Sequence, residues 1–157
     1  INVADLINLK FSDIQNGEIS FIREKTKDRT RDTKRIYAPI TPEMQSIIEK
    51  WGNNPRKSIY IFPFMKAGDD AWEHEKKKKN LTKHINDRMK VIGEKLNIGK
   101  ITTYVARHTY ATVLRNEGVP VSIISPMLGH TSITTTEIYL ADLESENRAR
   151  NASLLSF

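Results

Sequence analysis

Cysteine is absent from the 157 residues. That excludes disulfides and thiolate metal sites, and it fits a reducing compartment such as a bacterial cytoplasm. Long apolar runs are also missing, and none approaches the roughly 20 residues a membrane span needs. No basic-then-apolar leader opens the sequence, so a cytoplasmic protein with no membrane partner is expected. Carboxylates are nowhere dense enough to hold Mg²⁺, and no metal or cofactor is expected. No internal repeat and no domain-splitting linker is visible, and 157 residues suffice for one domain with a real core.

Positive charge, by contrast, is plentiful. Lys and Arg number 25 against 19 Asp and Glu, a formal net charge of +6. Such a balance favours a polyanionic partner and is equally compatible with a solvated basic surface. The chain opens without Met or an N-cap on a helical apolar pattern, Ile1, Val3, Leu6, Ile7 and Leu9, which reads as a fragment lacking its upstream part.

Periodicity predicts a mainly α protein with one small antiparallel sheet near the N-terminus, an α+β class. Helix is expected from Val3 to about Leu9, followed by a turn at Asn16-Gly17. "EISFIREK" and "RIYAPI" read as two strands joined by the basic link "TKDRTRDT", a hairpin from Glu18 to about Pro39. "TPEMQSIIEKWG" carries an N-cap at Thr41, Pro42 at the first helical position and a stop at Gly52. "SIYIFPF" reads as a strand or extended segment. The long stretch from Gly68 to Ile98 reads as helix broken near Asn80, burying Leu81, Ile85, Met89 and Ile92. Its Lys76–Lys79 run is a solvated face or a DNA contact. Helices are also expected for "TTYVARHTYATVLRNEG", stopped by Gly118, for "PVSIISPMLG", opened by Pro120, and for the segments that follow.

The chemistry concentrates in the last third. Arg107, His130 and Tyr139 could converge on one phosphate. Arg offers a planar fork matched to two phosphate oxygens, His130 can donate to a third, and Gly129 permits a tight turn before the next helix. A phenol titrates near ~10 and is a weak nucleophile at neutral pH. Nearby cations that stabilise phenolate, with a base to take the proton, correct this. The same cations stabilise a pentacoordinate transition state without metal. Taken singly, Arg107 is an ordinary surface arginine, His130 a cap and Tyr139 a core residue. Their order and spacing favour a site.

The stretch "ARHTYATVLRNEGVPVSIISPMLGHTSITTTEIYLADL" resembles the C-terminal signature of tyrosine recombinases, the phage-integrase family. The match covers about Tyr104 to Leu143 and includes the Arg-His-Thr box, the Leu-Gly-His box and the tyrosine. It looks most like integrases of Bacteroides-type conjugative and mobilisable elements. The resemblance implies the tyrosine recombinase catalytic-domain fold over residues 1–157, with an upstream core-binding domain outside this chain. It implies site-specific cutting and rejoining of double-stranded DNA through a 3′-phosphotyrosyl link on Tyr139, releasing a 5′-hydroxyl. Arg107 clamps the scissile phosphate, His130 contacts a non-bridging oxygen, and His108 has a structural or supporting role rather than a chemical one. The hairpin lysine that protonates the leaving oxygen maps onto Lys25, with Lys27 as the alternative.

Two positions depart from the family pattern. Tyr104 stands where a His or Lys usually precedes the arginine by three residues, so the base that accepts the nucleophile's proton is open between His130 and water. Asn2 stands where the family's first arginine lies, with Asp5 as the motif's acidic residue. Arg23 is the candidate replacement cation, because a strand would point it and Lys25 to the same face.

Lys27, Arg29, Arg31, Lys34 and Arg35 on the hairpin are expected to follow the DNA backbone. The segment "ESENRARNASLLSF" is expected to pack on its own domain or dock onto another protomer in a synaptic tetramer, the isolated fragment being monomeric. The competing readings are a DNA-binding module of this fold without catalysis, and an RNA-binding or structural basic domain.

Overall fold

The computed structural model describes residues 1–25, 27, 35–130 and 132–142. Tertiary contacts divide the chain into two compact units, Ile1–Tyr104 and Val105–Phe157.

The first unit opens with α1 (Val3–Leu6). The expected run to Leu9 stops early because the chain turns inward: Ile61 N–H donates to the Leu9 carbonyl at 2.9 Å and Phe11 N–H to that of Ile59 at 3.0 Å. A 3₁₀ turn at Phe11–Asp13 leads into β1 (Ile14–Gln15), a strand too short to read from sequence. Asn16 and Gly17 take positive φ of 51° and 77°. That is the left-handed pair a two-residue hairpin turn requires and Asn-Gly supplies. Strands β2 (Glu18–Ile22) and β3 (Arg35–Pro39) complete an antiparallel sheet of order β1-β2-β3, with Phe21 opposite Ile36 and Ile22 opposite Arg35.

Alternation puts Ile19, Phe21 and Ile36 on the inner face, where they pack with Leu9 and Ile61. Each such fully buried side chain contributes roughly 1.5–3 kcal/mol. Helix α2 (Pro42–Trp51) lays Met44 and Ile48 against that cluster. Its start is capped as expected, Thr41 Oγ1 accepting from Met44 N–H at 3.3 Å. Gly52 ends it by close approach, since a Cβ there would collide with the Ile48 carbonyl.

Helix α3 (Ala71–Lys95) is continuous over 25 residues, with no break at Asn80. One Asn costs only about 0.7 kcal/mol at most in a helix interior. A capping box of Asp70 with Glu73 starts this helix. Leu81 packs against Ile7, Tyr60 and Met65, but Ile92, expected in the buried stripe, is 44% exposed. The buried residue at that end is Gly93, where a side chain would meet the Gly99 carbonyl. Among the described residues no helix is long and apolar enough to cross a membrane.

The second unit contains most of α4 (Thr103–Asn116), all of α5 (Val121–Met127) and a helix over residues 133–142, here α6. Ala111, Ile124, Leu128 and Leu140 form its core, with Tyr139 packed against them. Gly118 ends α4 at φ +76°, with Val119 N–H reaching the Leu114 carbonyl and Gly118 N–H that of Arg115. This is the six-to-one and five-to-two pattern of a Schellman cap. The C-terminal segment expected to dock begins beyond Asp142 and lies outside the described residues.

Candidate active site

The site in the second unit is built on the end of α5. Gly129, at φ +66°, closes the helix with His130 N–H donating to the Ser125 carbonyl at 3.0 Å and Gly129 N–H to that of Pro126 at 2.9 Å. This second Schellman cap explains "LGH". Gly supplies the left-handed turn, and the turn swings His130 back over the helix end. The cap leaves the Leu128 carbonyl available, and Arg107 Nη2 donates to it at 2.6 Å. The same Nη2 lies 3.1 Å from His130 Nε2.

These contacts set the His130 tautomer. A guanidinium only donates, so Nε2 is the accepting nitrogen. The ring proton of the neutral imidazole then sits on Nδ1 and donates to Thr136 Oγ1 at 2.9 Å. Thr136 is fully buried, and its contact with His130 is one that sequence reasoning missed. The segment between His130 and Tyr139 is largely helix, as expected, with α6 beginning at residue 133. Helical spacing is what turns Thr136 toward His130. Replacing Thr136 by Val takes the acceptor from the Nδ1–H of a half-buried imidazole. The expected outcome is a loss of about 1–3 kcal/mol in urea unfolding.

Tyr139 completes the cluster from α6. Its ring packs edge-on to His130, with centroids 5.8 Å apart and planes at 84°. It stacks on His108 with centroids 5.3 Å apart and planes at 16°. The Tyr139 hydroxyl lies 3.0 Å from His108 Nδ1. Arg107, His130 and Tyr139, nominated from the sequence, are therefore brought together, and His108 joins them in direct contact with the phenol.

The other nominated residues belong to the first unit. β2 ends at Ile22, so Arg23 and Lys25 do not share a strand face as expected. Residues 24 and 25 form a turn, with Lys27 N–H donating to the Arg23 carbonyl. Lys25 is exposed, whereas the Arg23 side chain is 11% exposed, with Nε 3.9 Å from Asp5 Oδ2. Asp5 also accepts the Glu24 N–H at 2.8 Å. Burial pushes the Asp5 carboxyl above its usual range, while that hydrogen bond and Arg23 pull it back. Asp5 thus fastens the turn that carries Lys25. Asp5→Ala should cost about 1–3 kcal/mol in thermal or urea unfolding, by orphaning the Glu24 amide and removing the carboxylate beside Arg23.

Lys27 pairs with Glu24 at 2.8 Å. Arg35 folds across β2, its Nε on Ser20 Oγ at 3.1 Å and Nη2 on the Ser20 carbonyl at 2.8 Å. Arg29, Arg31 and Lys34 lie outside the described residues. Tyr104 is 53% exposed. With Asn2, Lys78, Lys79 and Lys83 it lines one groove of about 560 Å³.

The Phage integrase family model matches residues 2–146. The chain belongs to the phage integrase family. Integrase relatives named tyrosine recombinases match most of it. Tyrosine recombinase XerA of Pyrococcus furiosus is 30% identical over 141 residues, covering 88% of this chain and 45% of that protein. Tyrosine recombinase XerC of Roseiflexus sp. is 24% identical over 143 residues, covering 88% of this chain and 42% of its own length. The chain therefore spans a little under half the length of these relatives. A solved structure of XerA recombinase matches with a TM-score of 0.58 at 23% identity, covering 94% of this chain and 52% of that one. That likeness supports the integrase catalytic fold, helical with a small antiparallel sheet.

Proposed function

We propose that this integrase chain is the catalytic part of a site-specific DNA recombinase, which cuts and rejoins duplex DNA through a 3′-phosphotyrosyl link on Tyr139. The observation that carries the reading is the cluster in the second unit. A phenol stacks on one imidazole and meets the edge of another, and a guanidinium touches that second imidazole. Phosphate binding would exchange the Arg107–His130 contact for contacts to non-bridging oxygens. Arg107 keeps its bond to the Leu128 carbonyl as an anchor, and its remaining N–H groups face the anion. His130 donates from Nε2 as an imidazolium, or as a neutral ring once the Thr136 hydroxyl reverses and donates to Nδ1. Developing negative charge on phosphorus oxygens is then met by fixed donors.

Lys25, in the exposed turn after β2, is the proposed proton donor to the leaving 5′ oxygen, with Lys27 the alternative. Arg23 remains the candidate for the charge missing at Asn2, and its burial beside Asp5 favours an indirect role in holding the Lys25 turn. Lys79 and Lys83, one turn apart on α3, line the groove that contains Asn2 and Tyr104 and offer positive charge there. Tyr104 would donate its hydroxyl to a phosphate oxygen. Lys27, Arg29, Arg31, Lys34 and Arg35 would track the DNA backbone. By its sequence signature the protein serves a Bacteroides-type mobile element in the bacterial cytoplasm. It would act as a tetramer on DNA, with this fragment alone monomeric.

The test is covalent capture. The complete gene product is mixed with a randomised pool of duplexes, each nicked beside the interrogated phosphate so that the released fragment diffuses away. Protein-linked DNA that survives denaturation is expected. Duplex binding with no linked product would favour a DNA-binding module of the same fold.

A further inference from the structure

We propose that His108 is a catalytic residue, the general base that takes the phenolic proton of Tyr139 during DNA cleavage. The proposal rests on the recombinase reading above. Its observation is independent of the signature: Tyr139 hydroxyl and His108 Nδ1 are 3.0 Å apart, with the two rings near-parallel. With the imidazole proton on Nε2, Nδ1 is an acceptor and the phenol donates to it.

Division of labour on α4 follows from adjacency. Arg107 and His108 are consecutive, so they leave the helix roughly 100° apart. Arg107 reaches the α5 cap and His130, while His108 reaches α6 and Tyr139. His130 is poorly suited to the same task. Its Nε2 faces the guanidinium and its Nδ1 is engaged by buried Thr136. Tyr104, at the position where a basic residue was expected, is an exposed phenol, a weak base near neutral pH. Among the described residues, Arg107 lies beside His108 in the chain, and His130 meets the Tyr139 ring edge-on.

The step balances. His108 Nδ1 takes the proton as the Tyr139 oxygen attacks phosphorus. The bond from phosphorus to the 5′ oxygen breaks, and that oxygen leaves as a hydroxyl with a proton from Lys25 or water. Ligation runs in reverse: the attacking 5′-hydroxyl loses its proton to the same group, and the imidazolium returns one to the departing tyrosine. Imidazole, titrating ordinarily near 6.5, suits both directions at neutral pH.

The experiment compares wild type with His108→Asn, whose amide keeps a polar atom near the Nδ1 position without basicity. Adduct formation is timed from pH 6 to about 9.5 on two nicked duplexes, one ordinary and one with sulfur replacing the bridging 5′ oxygen. The sulfur leaves without an acid, which removes lysine titration from the profile. His108→Asn is expected to react about 10²–10⁴-fold more slowly at pH 7 on both substrates. Its deficit should shrink by about tenfold per pH unit toward the ordinary phenol value near 10, as solvent supplies the phenolate. Duplex affinity should stay at the wild-type level. If the Asn protein fails to fold, His108→Gln is read in the same way.

A rate within about threefold of wild type overturns the proposal. So does a deficit that is constant across pH, or one that sulfur restores. Those results differ from failure of the underlying reading, in which wild type forms no adduct or Tyr139→Phe still forms one.

Discussion

Tyr139→Phe is expected to abolish covalent capture of DNA and to leave the fold and duplex affinity near wild type. The change deletes one oxygen from a ring that packs on Ala111, Ile124, Leu128 and Leu140, and Phe keeps that packing and its contact with His130. One hydrogen bond to His108 is lost, which costs about 0.5–1.5 kcal/mol of stability. Removing a nucleophile from a covalent mechanism typically costs four orders of magnitude or more in rate. The two effects separate cleanly in paired measurements of adduct formation and urea unfolding. A Phe protein that still forms adduct would move the nucleophile elsewhere.

The second large effect is expected at Arg107. Arg107→Lys keeps the charge but loses the fork. One nitrogen of Arg107 contacts both the Leu128 carbonyl and His130 Nε2. A lysine ammonium is a single point donor and cannot hold the α5 cap and present two parallel bonds to an anion. Adduct formation should fall by about 10²–10³-fold, the scale of a lost transition-state donor. Stability should fall by about 1–3 kcal/mol, because a carbonyl at the helix end and a tautomer-setting contact lose their partner. Rescue by lysine to within a few-fold would show that charge alone suffices.

Much of this arrangement was legible because local rules and tertiary structure agree. Asn16-Gly17, Thr41 with Pro42, Gly118 and Gly129 each stand where a backbone conformation demands that residue type, and each element begins or ends there. Along β2 the alternation of apolar residues agrees with the packing of Ile19 and Phe21 on the inner face. The misreadings arose where distant contacts decide. Nothing local to Val3–Leu9 announces that Leu9 will bond to Ile61, and Gly93 is buried because Gly99 returns beneath it.

In the site, Arg107, His130 and Tyr139 were found through their order and spacing. Their mutual geometry was not accessible, because it depends on how α4, the α5 cap and α6 meet. Thr136 looked like one hydroxyl in a run of three. Only its helical phase on α6 relative to His130 singles it out, and that depends on how α6 meets the α5 cap. His108 was given a supporting role by the signature. The placement of its Nδ1 against the phenol is a tertiary fact. The strand argument for Arg23 and Lys25 failed at the end of β2, where the chain turns and Asp5 takes the Glu24 amide.

In the proposed reaction Tyr139 becomes joined to DNA at a 3′ phosphate. The most direct measurement is mass spectrometry of the nuclease-trimmed, protease-digested adduct formed by the complete gene product on a nicked duplex. One peptide containing Tyr139 is expected to carry a nucleotide through its 3′ phosphate, with a free 5′-hydroxyl on the released strand. A nucleotide on Tyr104, Tyr110 or any other side chain, or a link through a 5′ phosphate, would contradict it.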